Sequence, residues 1–306
     1  MSSIGELGEF GLITRLTDRL RQGPAVELGP GDDAAVVRAP DGHVVATTDL
    51  LVEGRHFRRD WSGPYEIGCK AAAQNFADVV AMGARPTALL VGLAAPADTP
   101  VEWAEQLYAG LGEECAMAGA SVAGGDVVAA PLITLAITAL GDLAGRPPLT
   151  RSGARPGDLV AVRGRLGHSS AGLELLDAGK DEPAELIEAH LRPRPPYTAG
   201  EEARAMGATA LMDVSDGLLQ DLGHIAKASG VRIEVDSSAV PVPREFGPGG
   251  LRHALTGGED HAFAATVPPG TVPPASWTVV GRVAEGAGVL VDGGPYQGGG
   301  WDHFRR

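Results

Sequence analysis

Cysteine and lysine are both scarce in this chain. Cys69 and Cys115 are the two cysteines among 306 residues, too few for a disulfide scaffold or a thiolate zinc site. We therefore expect two reduced thiols, as is usual for a cytosolic protein. The lysines are Lys70, Lys180 and Lys227, so a lysine-rich cradle for phosphate groups is excluded.

An excess of positive charge and long apolar runs are also missing. The chain has 39 acidic and 25 basic residues, and the net charge of −14 disfavours binding to nucleic acids or anionic membranes. Residues 1–6 lack the basic patch and apolar core of a signal peptide. The longest apolar stretch, residues 132–140, is far shorter than a membrane span. These patterns predict a cytoplasmic protein that contacts neither nucleic acid nor membrane.

The familiar nucleotide-binding motifs do not occur. The sequence contains no P-loop, no glycine-rich turn opening a helix of a convincing βαβ unit, and no protein-kinase motif set. An enzyme of this sequence that used ATP would therefore need a different kind of phosphate-binding loop.

Predicted strands alternate with predicted helices in both halves of the chain. This alternation indicates an α/β or layered α+β fold. The polar, turn-rich residues 145–148 are the best linker candidate, which predicts two domains, residues 1–145 and 146–306. We expect helices over residues 65–82, ended by Gly83, and after Gly217, where apolar residues recur at helical spacing.

Three local motifs give more detailed predictions. The Asp41-Gly42 dipeptide between residues 34–38 and 43–48 predicts a β-hairpin. Residues 99–102, Thr-Pro-Val-Glu, are typical of a helix capping box with proline at the first helical position. The dipeptide Gly125-Asp126 indicates a turn before the next strand.

Aspartates follow predicted strands or lie beside glycine, serine or threonine unusually often. Seven positions share this setting: Asp32, Asp33, Asp49, Asp78, Asp126, Asp213 and Asp216. Each one alone could be an ordinary turn or helix-cap residue. Together, two carboxylates about 4 Å apart repel by roughly 1 kcal/mol in water and about 4 kcal/mol at an effective dielectric constant of 20. Convergence of several would require cations, and Mg²⁺ prefers such oxygen ligands together with phosphate oxygens.

Several motifs in chain order resemble those of the thiamine-monophosphate kinases, within the wider superfamily of enzymes like aminoimidazole-ribonucleotide synthetase. The resemblance runs over residues 7–304 and rests on residues 29–34, 47–57, 75–84, 124–126, 149–154, 190–193, 213–222, 257–260 and 300–304. The most discriminating segments are Gly54-Arg55-His56-Phe57 and Gly300-Trp301-Asp302-His303-Phe304.

The resemblance implies an activity and an architecture. The activity is magnesium-assisted, in-line transfer of the γ-phosphate of ATP to thiamine monophosphate, the last step of thiamine diphosphate biosynthesis. The architecture has two α/β domains: an N-terminal domain for ATP, Mg²⁺ and dimerisation through its sheet, and a C-terminal mixed sheet flanked by helices. It implies a homodimer with ATP in a cleft between the domains.

The resemblance also assigns roles to residues. It implies that the magnesium-binding residues are Asp33, Thr47, Thr48, Asp49, Asp78, Asp126, Asp213 and Asp216. The implied ATP contacts are Tyr108, Gly125, Asp126, Arg151 and Ser215, and the implied thiamine-phosphate contacts are His56, Glu259 and Trp301. No residue is needed as a general base, because the acceptor phosphate is largely ionised near neutral pH.

Structural readings of the same residues remain open. Asp213, Ser215 and Asp216 could be helix caps, and Glu259 with Asp260 could be a solvated turn. His56, Tyr108 and Trp301 could be packing residues, and Arg151 could pair with a nearby carboxylate. Arg55 and His168 depart from the family pattern, and the sequence assigns them no role.

Two alternative functions are also compatible with parts of the pattern. A related enzyme could use ATP to activate another oxygen, as in aminoimidazole-ribonucleotide or selenophosphate synthesis. Selenophosphate synthetases usually bear a reactive cysteine or selenocysteine in an N-terminal segment, whereas no cysteine precedes Cys69, which counts against that activity. A non-catalytic protein that binds thiamine phosphate or a nucleotide would not need so many acidic positions.

Overall fold

The computed structural model describes residues 3–7, 9–18, 20–29 and 35–296. The chain forms two compact units, unit 1 (Met1–Val79 and Ala84–Arg146) and unit 2 (Val80–Gly83 and Pro147–Arg306). Both units combine helices with sheets, which confirms the predicted mixed α/β class. Among the described residues, no helix is long and apolar enough to cross a membrane.

Unit 1 is built on a four-stranded sheet. Its strands, in order across the sheet, are β3 (Val45–Val52), β6 (Thr134–Asp142), β4 (Arg85–Ala95) and β5 (Ser121–Ala129). β6 is antiparallel to both β3 and β4, whereas β4 and β5 are parallel. Parallel neighbours need a crossover connection, here helix α4 (Val101–Ala118). Two short helices, α1 (Ile4–Leu7) and α2 (Glu9–Thr17), and the antiparallel pair β1 (Val26–Leu28) and β2 (Val36–Val37) precede this sheet.

One face of this sheet carries most of its buried side chains. Along β6, buried residues such as Leu135 and Ile137 alternate with partly exposed ones. On the other face Leu50, Leu90 and Val128 are 57%, 36% and 51% exposed. Alternation with a period of two is what a half-buried strand requires. Within the described part of unit 1, this face of the sheet is therefore uncovered and presents exposed apolar side chains.

Helices α3 (Pro64–Ala81) and α4 cover the buried face. The predicted helix over residues 65–82 is confirmed as α3, and the chain turns at Gly83 with a φ of 69°. The two helices approach closely at reciprocal glycines. A Cβ on Gly68 would lie 2.1 Å from the Leu107 carbonyl oxygen, and one on Gly110 would lie 2.1 Å from that of Tyr65. Glycine is required at both positions because no larger residue has room.

Unit 2 contains a six-stranded mixed sheet. In order its strands are β12 (Gly288–Val291), β9 (Arg232–Val235), β11 (Trp277–Ala284), β7 (Leu159–Arg163), β10 (Ala262–Val267) and β8 (Ala210–Val214). β12 and β9 are parallel, and the other neighbours are antiparallel. The helices are α5 (His168–Asp177), α6 (Ala184–Leu191), α7 (Ala199–Ala205), α8 (Leu218–Ser229) and α9 (Gly250–Thr256), with 3₁₀ turns at Ser237–Ala239 and Arg244–Gly249.

The apolar stripe of α8 contributes much of the core of unit 2. Leu218, Leu222, Ile225 and Ala226 are buried against strand residues such as Ile233. The prediction of a helix after Gly217 is therefore confirmed, and Gly230 ends it in a left-handed conformation. This packing fixes the start of α8 directly after β8.

The predicted hairpin around Asp41-Gly42 is wrong. β2 pairs with β1, and β3 pairs with β6 over eight residues. The long register with β6 gives β3 far more backbone hydrogen bonds than the two-residue β2 could. Asp41 and Gly42 do form a turn, in which Asp41 Oδ1 accepts the His43 N–H at 2.9 Å.

Two other local predictions also fail. Pro100 is the N-cap residue of α4, and its side chain makes no capping hydrogen bond. Thr99 Oγ1 and Glu102 Oε2 are buried and have no hydrogen-bond partner among the described residues. The predicted capping box therefore does not form. Gly125 and Asp126 lie inside β5 rather than in a turn. A Cβ on Gly125 would lie 2.0 Å from the Val91 carbonyl oxygen, so its glycine reflects close approach of β4.

Candidate functional site

In unit 1, β3 and α3 bring two aspartates together. The Thr47 hydroxyl on β3 donates to Asp78 Oδ2 on α3 at 2.8 Å. Asp49, two residues along the same strand face, accepts a hydrogen bond from Gln74 Nε2 at 3.1 Å. The Asp49 backbone N–H donates to Asn75 Oδ1 at 3.1 Å, and Asn75 is fully buried. Gln74 and Asn75 therefore hold Asp49 against α3, and the Thr47 hydroxyl links β3 to Asp78.

Thr48 and Asp126 lie apart from this pair. The Thr48 side chain is exposed on the opposite face of β3, where its hydroxyl donates to the Ile137 carbonyl at 2.9 Å. Asp126 is exposed on β5, at the far edge of the sheet from β3. Three strand spacings separate these edges, or about 14 Å. One metal ion therefore cannot bind Asp49 and Asp126 of the same unit simultaneously.

A tight turn after β3 carries His56. Gly54 has a φ of 78°, and its N–H donates to the Phe57 carbonyl at 2.8 Å. His56 Nδ1 accepts the Val52 N–H at 3.0 Å, which leaves Nε2 as the protonated nitrogen of a neutral ring. Arg55 is exposed at the tip of the same turn. His56 is thus held through one ring nitrogen and half-exposed.

Tyr108 is almost enclosed. It lies on α4, 8% exposed, and burial raises the pKa of its phenol. Within unit 1 this ring is packed rather than presented to solvent, and its assignment to ATP stays a prediction.

In unit 2, the end of β8 and the start of α8 concentrate three carboxylates. Asp213 is the fourth residue of β8 and is 4% exposed. Asp221 Oδ2 accepts the N–H groups of Asp216 and Gly217, both at 3.1 Å. The N-cap residue of α8 is Gly217, which has no side chain to offer. Asp221 therefore caps this helix, and the capping role considered for Asp213, Ser215 and Asp216 is not needed.

Electrostatic repulsion is visible within this group. Burial, followed by the charges of Asp213 and Asp216, raises the pKa of Asp221 to about 8. Ligand atoms of Asp216, Asp221 and His224 lie within 4.8 Å of one another. Carboxylate pairs of this kind are relieved by a bound cation.

A glycine-rich loop presses Glu259 against the same region. The Glu259 N–H donates to the Ser215 carbonyl at 2.7 Å, and Glu259 has a φ of 63°. A Cβ on Gly258 would lie 2.6 Å from that same carbonyl oxygen. The loop that carries Glu259 is therefore packed directly against the loop that carries Ser215.

Arg151 and Asp260 differ in exposure. The Arg151 side chain is exposed and makes no ion pair with a described residue, while its carbonyl accepts the Ser229 hydroxyl at 3.1 Å. Asp260 is 7% exposed and accepts the N–H groups of Gly167 and Ser169 at 2.5 and 2.9 Å. Asp260 is thus an anchor for the start of α5 and not part of a solvated turn.

His168, the first residue of α5, packs rather than reaching this loop. Its ring meets Phe246 edge-on at a centroid distance of 5.0 Å. Burial, followed by the charge of Arg165, lowers its pKa.

The buried Asp260 makes the stability of unit 2 depend on pH. Burial raises its pKa from 3.8 to about 7 despite the backbone donors. Between these values the unfolded chain loses the proton while the folded chain keeps it, so stability falls as pH rises from about 4 to 7. We expect the melting temperature of Asp260→Asn to fall less between pH 5 and pH 8 than that of the wild type.

Thermal unfolding monitored by circular dichroism at both pH values measures this difference. Asp177→Asn, an exposed change at the end of α5, serves as the control. Equal pH dependence in wild type and Asp260→Asn would show that Asp260 is ionised when folded.

Magnesium suits the donor sets of both units. The groups available are carboxylates and hydroxyls, which are hard oxygen ligands. Thr47, Asp49 and Asp78 offer them in unit 1, and Asp213 with Asp216 in unit 2. The pKa of Asp221 is raised by burial and by repulsion from Asp213 and Asp216, and a bound cation would relieve that repulsion.

Several neighbours of these residues are not predicted by the sequence. Asp33 and Trp301 lie outside the described residues. Gln74, Asp221 and His224 were not assigned to the site. A signal for Asp221 was available, because an acidic residue in the first turn of a helix often reaches back to its start. Nothing in the local sequence indicates that Gln74 contacts Asp49.

Known protein families and solved structures resemble this two-unit chain. Residues 31–143 match the family described as AIR synthase related protein, N-terminal domain, and residues 155–270 match its C-terminal domain. The crystal structure of thiamine-monophosphate kinase from Stenotrophomonas maltophilia K279a superposes with a TM-score of 0.82 at 33% identity, covering 92% of this chain and 95% of that one. AaThiL complexed with AMPPCP and TMP gives a TM-score of 0.81 at 37% identity, with 99% of each chain covered.

Sequence similarity leads to the same group. The thiamine-monophosphate kinase of Mycobacterium tuberculosis is 49% identical over 312 aligned positions, which cover 99% of this chain and 93% of the relative. This chain matches both AIR synthase related domains, and it is 49% identical to that kinase over nearly its full length. The chain therefore belongs to the thiamine-monophosphate kinase family.

Proposed function

We propose that this protein is a thiamine-phosphate kinase, which transfers the γ-phosphate of ATP to thiamine monophosphate and releases thiamine diphosphate and ADP. The observation that carries the proposal is the 49% identity over 99% of the chain to a thiamine-monophosphate kinase. The related complex of AaThiL with AMPPCP and TMP supports ATP as the phosphate donor and thiamine monophosphate as the acceptor.

Phosphoryl transfer depends mainly on alignment and charge neutralisation. We assign Mg²⁺ to Thr47, Asp49 and Asp78 in unit 1 and to Asp213 and Asp216 in unit 2, with Thr48, Asp126 and Asp33 as further candidates from the family resemblance. Bound Mg²⁺ would neutralise the charge of two phosphate-bearing substrates that otherwise repel each other. Gln74 and Asn75 orient Asp49, so its carboxylate is held before any ligand arrives.

The remaining assignments concern the two substrates. Gly125, Asp126, Arg151, Ser215 and Tyr108 are proposed to contact ATP. The exposed guanidinium of Arg151 suits a phosphate oxygen. His56, Glu259 and Trp301 are proposed to contact thiamine monophosphate, whose thiazolium is cationic and suits the Glu259 carboxylate. An attacking phosphate oxygen is already ionised, so no side chain need remove a proton.

A direct assay tests the function. The purified protein is incubated with ATP, Mg²⁺ and thiamine monophosphate, and both ADP and thiamine diphosphate are quantified by chromatography. We expect one thiamine diphosphate for each ADP, with activity lost in EDTA and restored by added Mg²⁺. ADP release without thiamine diphosphate would indicate a different acceptor, and ATP binding without turnover would favour a binding protein.

We also propose a homodimer that forms through the uncovered sheet face of unit 1, as the family resemblance implies. The exposed Leu50, Leu90 and Val128 on that face support it, because monomers rarely leave neighbouring apolar residues exposed. Leu50→Glu should raise the dimer dissociation constant at least about tenfold, since a carboxylate would be desolvated without a partner.

Sedimentation velocity over a range of concentrations measures that constant. Val272→Glu changes a residue that is 90% exposed in unit 2 and should leave the dimer intact. A wild-type monomer at all concentrations would rule out the dimer. We also propose a cytoplasmic location, which the low number of cysteines supports.

A further inference from the structure

A buried histidine lies beside the carboxylate that is proposed to contact the acceptor. His190 Nδ1 is 3.6 Å from Glu259 Oε2 and 3.0 Å from the Ser169 hydroxyl. His190 belongs to the segment His190-Leu191-Arg192-Pro193, which the sequence comparison marks but to which it assigns no role. The roles assigned so far do not account for the position of His190 between Ser169 and Glu259.

The His190 ring has little freedom to move. It is 6% exposed in the last turn of α6, and Ser169 is 1% exposed in the first turn of α5. The two helices are in direct contact, because a Cβ on Gly172 would lie 2.0 Å from the Leu186 carbonyl oxygen. Asp260 fixes the start of α5 through the Ser169 N–H. The imidazole is therefore a fixed point in unit 2.

Glu259 has a fixed backbone but a partly free side chain. Its N–H is bound to the Ser215 carbonyl, so the position of its Cα is set. Its side chain is 37% exposed, and a long exposed side chain samples several rotamers at a cost in conformational entropy when it binds a ligand. A neighbour that fixes one carboxylate oxygen removes much of that cost in advance.

We propose that His190, anchored by Ser169, is a positioning residue for Glu259 and thereby sets the affinity for the cationic acceptor. With its proton on Nδ1, the His190 imidazole attracts Oε2 of Glu259 at 3.6 Å, and this orients the carboxylate so that Oε1 is available to the acceptor. The inference rests on the proposed function, because it deepens the role of Glu259 in binding thiamine monophosphate. In this role His190 acts through Glu259 rather than on the substrate itself.

The test measures steady-state kinetics of thiamine diphosphate formation in a double-mutant cycle. His190→Ala should raise KM for thiamine monophosphate about tenfold, within the range of coupling between contacting residues. The kcat and the KM for ATP should change less than about twofold, since neither the metal groups nor the ATP contacts move. In a Glu259→Ala background, His190→Ala should have no further effect on KM.

Two further variants separate positioning from general packing. His190→Asn places an amide near the position of Nδ1 and should restore most of the affinity. His253 is the matched control: it is 5% exposed, and its Nδ1 lies 3.0 Å from the hydroxyl of Ser170, the next residue of α5. His253→Ala removes a similar serine–histidine contact away from Glu259 and should leave KM for thiamine monophosphate unchanged. Melting temperatures establish that each variant is folded.

The outcomes distinguish this inference from the proposed function. A wild-type protein that does not phosphorylate thiamine monophosphate would overturn the function and the inference together. An active wild type overturns the inference alone if His190→Ala raises KM equally in both backgrounds. The same conclusion follows if His190→Asn gives no rescue, or if His253→Ala has the same effect.

Discussion

Asp49→Asn is expected to lower kcat for thiamine diphosphate formation at least about 100-fold, the usual effect of losing one preorganised electrostatic group. The substitution keeps the size of the side chain and a carbonyl oxygen that can still accept the Gln74 hydrogen bond. It removes one of the charges that, together with that of Asp78, we propose to bind Mg²⁺ beside the β3–α3 contact. The loss should therefore be chemical rather than structural.

A matched control makes this result interpretable. Asp98→Asn is the same chemical change at an exposed position of unit 1, and it should leave kcat and the melting temperature unchanged. The Asp49 variant should also bind Mg²⁺ with ATP more weakly, which calorimetric titration detects. Retention of more than about a third of the wild-type kcat would remove Asp49 from the metal site.

Gly68→Ala is expected to destabilise the protein by about 3 kcal/mol, the upper range for overpacking a tight interior. The added methyl group would lie 2.1 Å from the Leu107 carbonyl oxygen, so α3 and α4 must separate. Gly110→Ala should have a similar effect, because its methyl group would meet the Tyr65 carbonyl oxygen at the same distance. Chemical denaturation monitored by circular dichroism measures both.

Gly112 provides a control on α4, the helix that also carries Gly110. Its nearest neighbour for a Cβ is Leu20 Cδ2 at 3.9 Å, which is an ordinary contact. Alanine there should be neutral or stabilise α4 by up to about 1 kcal/mol, since it favours the helical conformation. Equal losses at Gly68 and Gly112 would mean that the close contact between α3 and α4 does not govern the effect.

Periodicity and composition predicted the long elements well because one face of each is buried. The alanine-rich α3 and the apolar stripe of α8 are examples. Short motifs predicted less, because a local signal does not identify the partner. Gly125 reads as a turn residue, yet it is there because β4 passes within 2.0 Å of a Cβ position. The Asp41-Gly42 turn is real, but β3 pairs with a strand about ninety residues away.

The acidic residues of the candidate site could be named from the sequence, but their grouping could not. Asp49 and Asp78 lie on different elements, and both are part of the contact between β3 and α3. Asp126 was grouped with them by motif, although it lies on the other edge strand. The contact between His190 and Glu259 depends on α6, α5 and a loop after α9, which no local pattern relates.

The glycine contact between α3 and α4 has a consequence for how this family can vary in length. Gly68 locks α3 against sliding, and Asp78 lies ten positions later on the same helix. Insertion or deletion of one residue between them would rotate Asp78 by about 100° around the helix axis. Its carboxylate would then leave Thr47, while the helix itself could remain intact. The stretch from Gly68 to Asp78 should therefore keep the same number of residues in lineages of this protein.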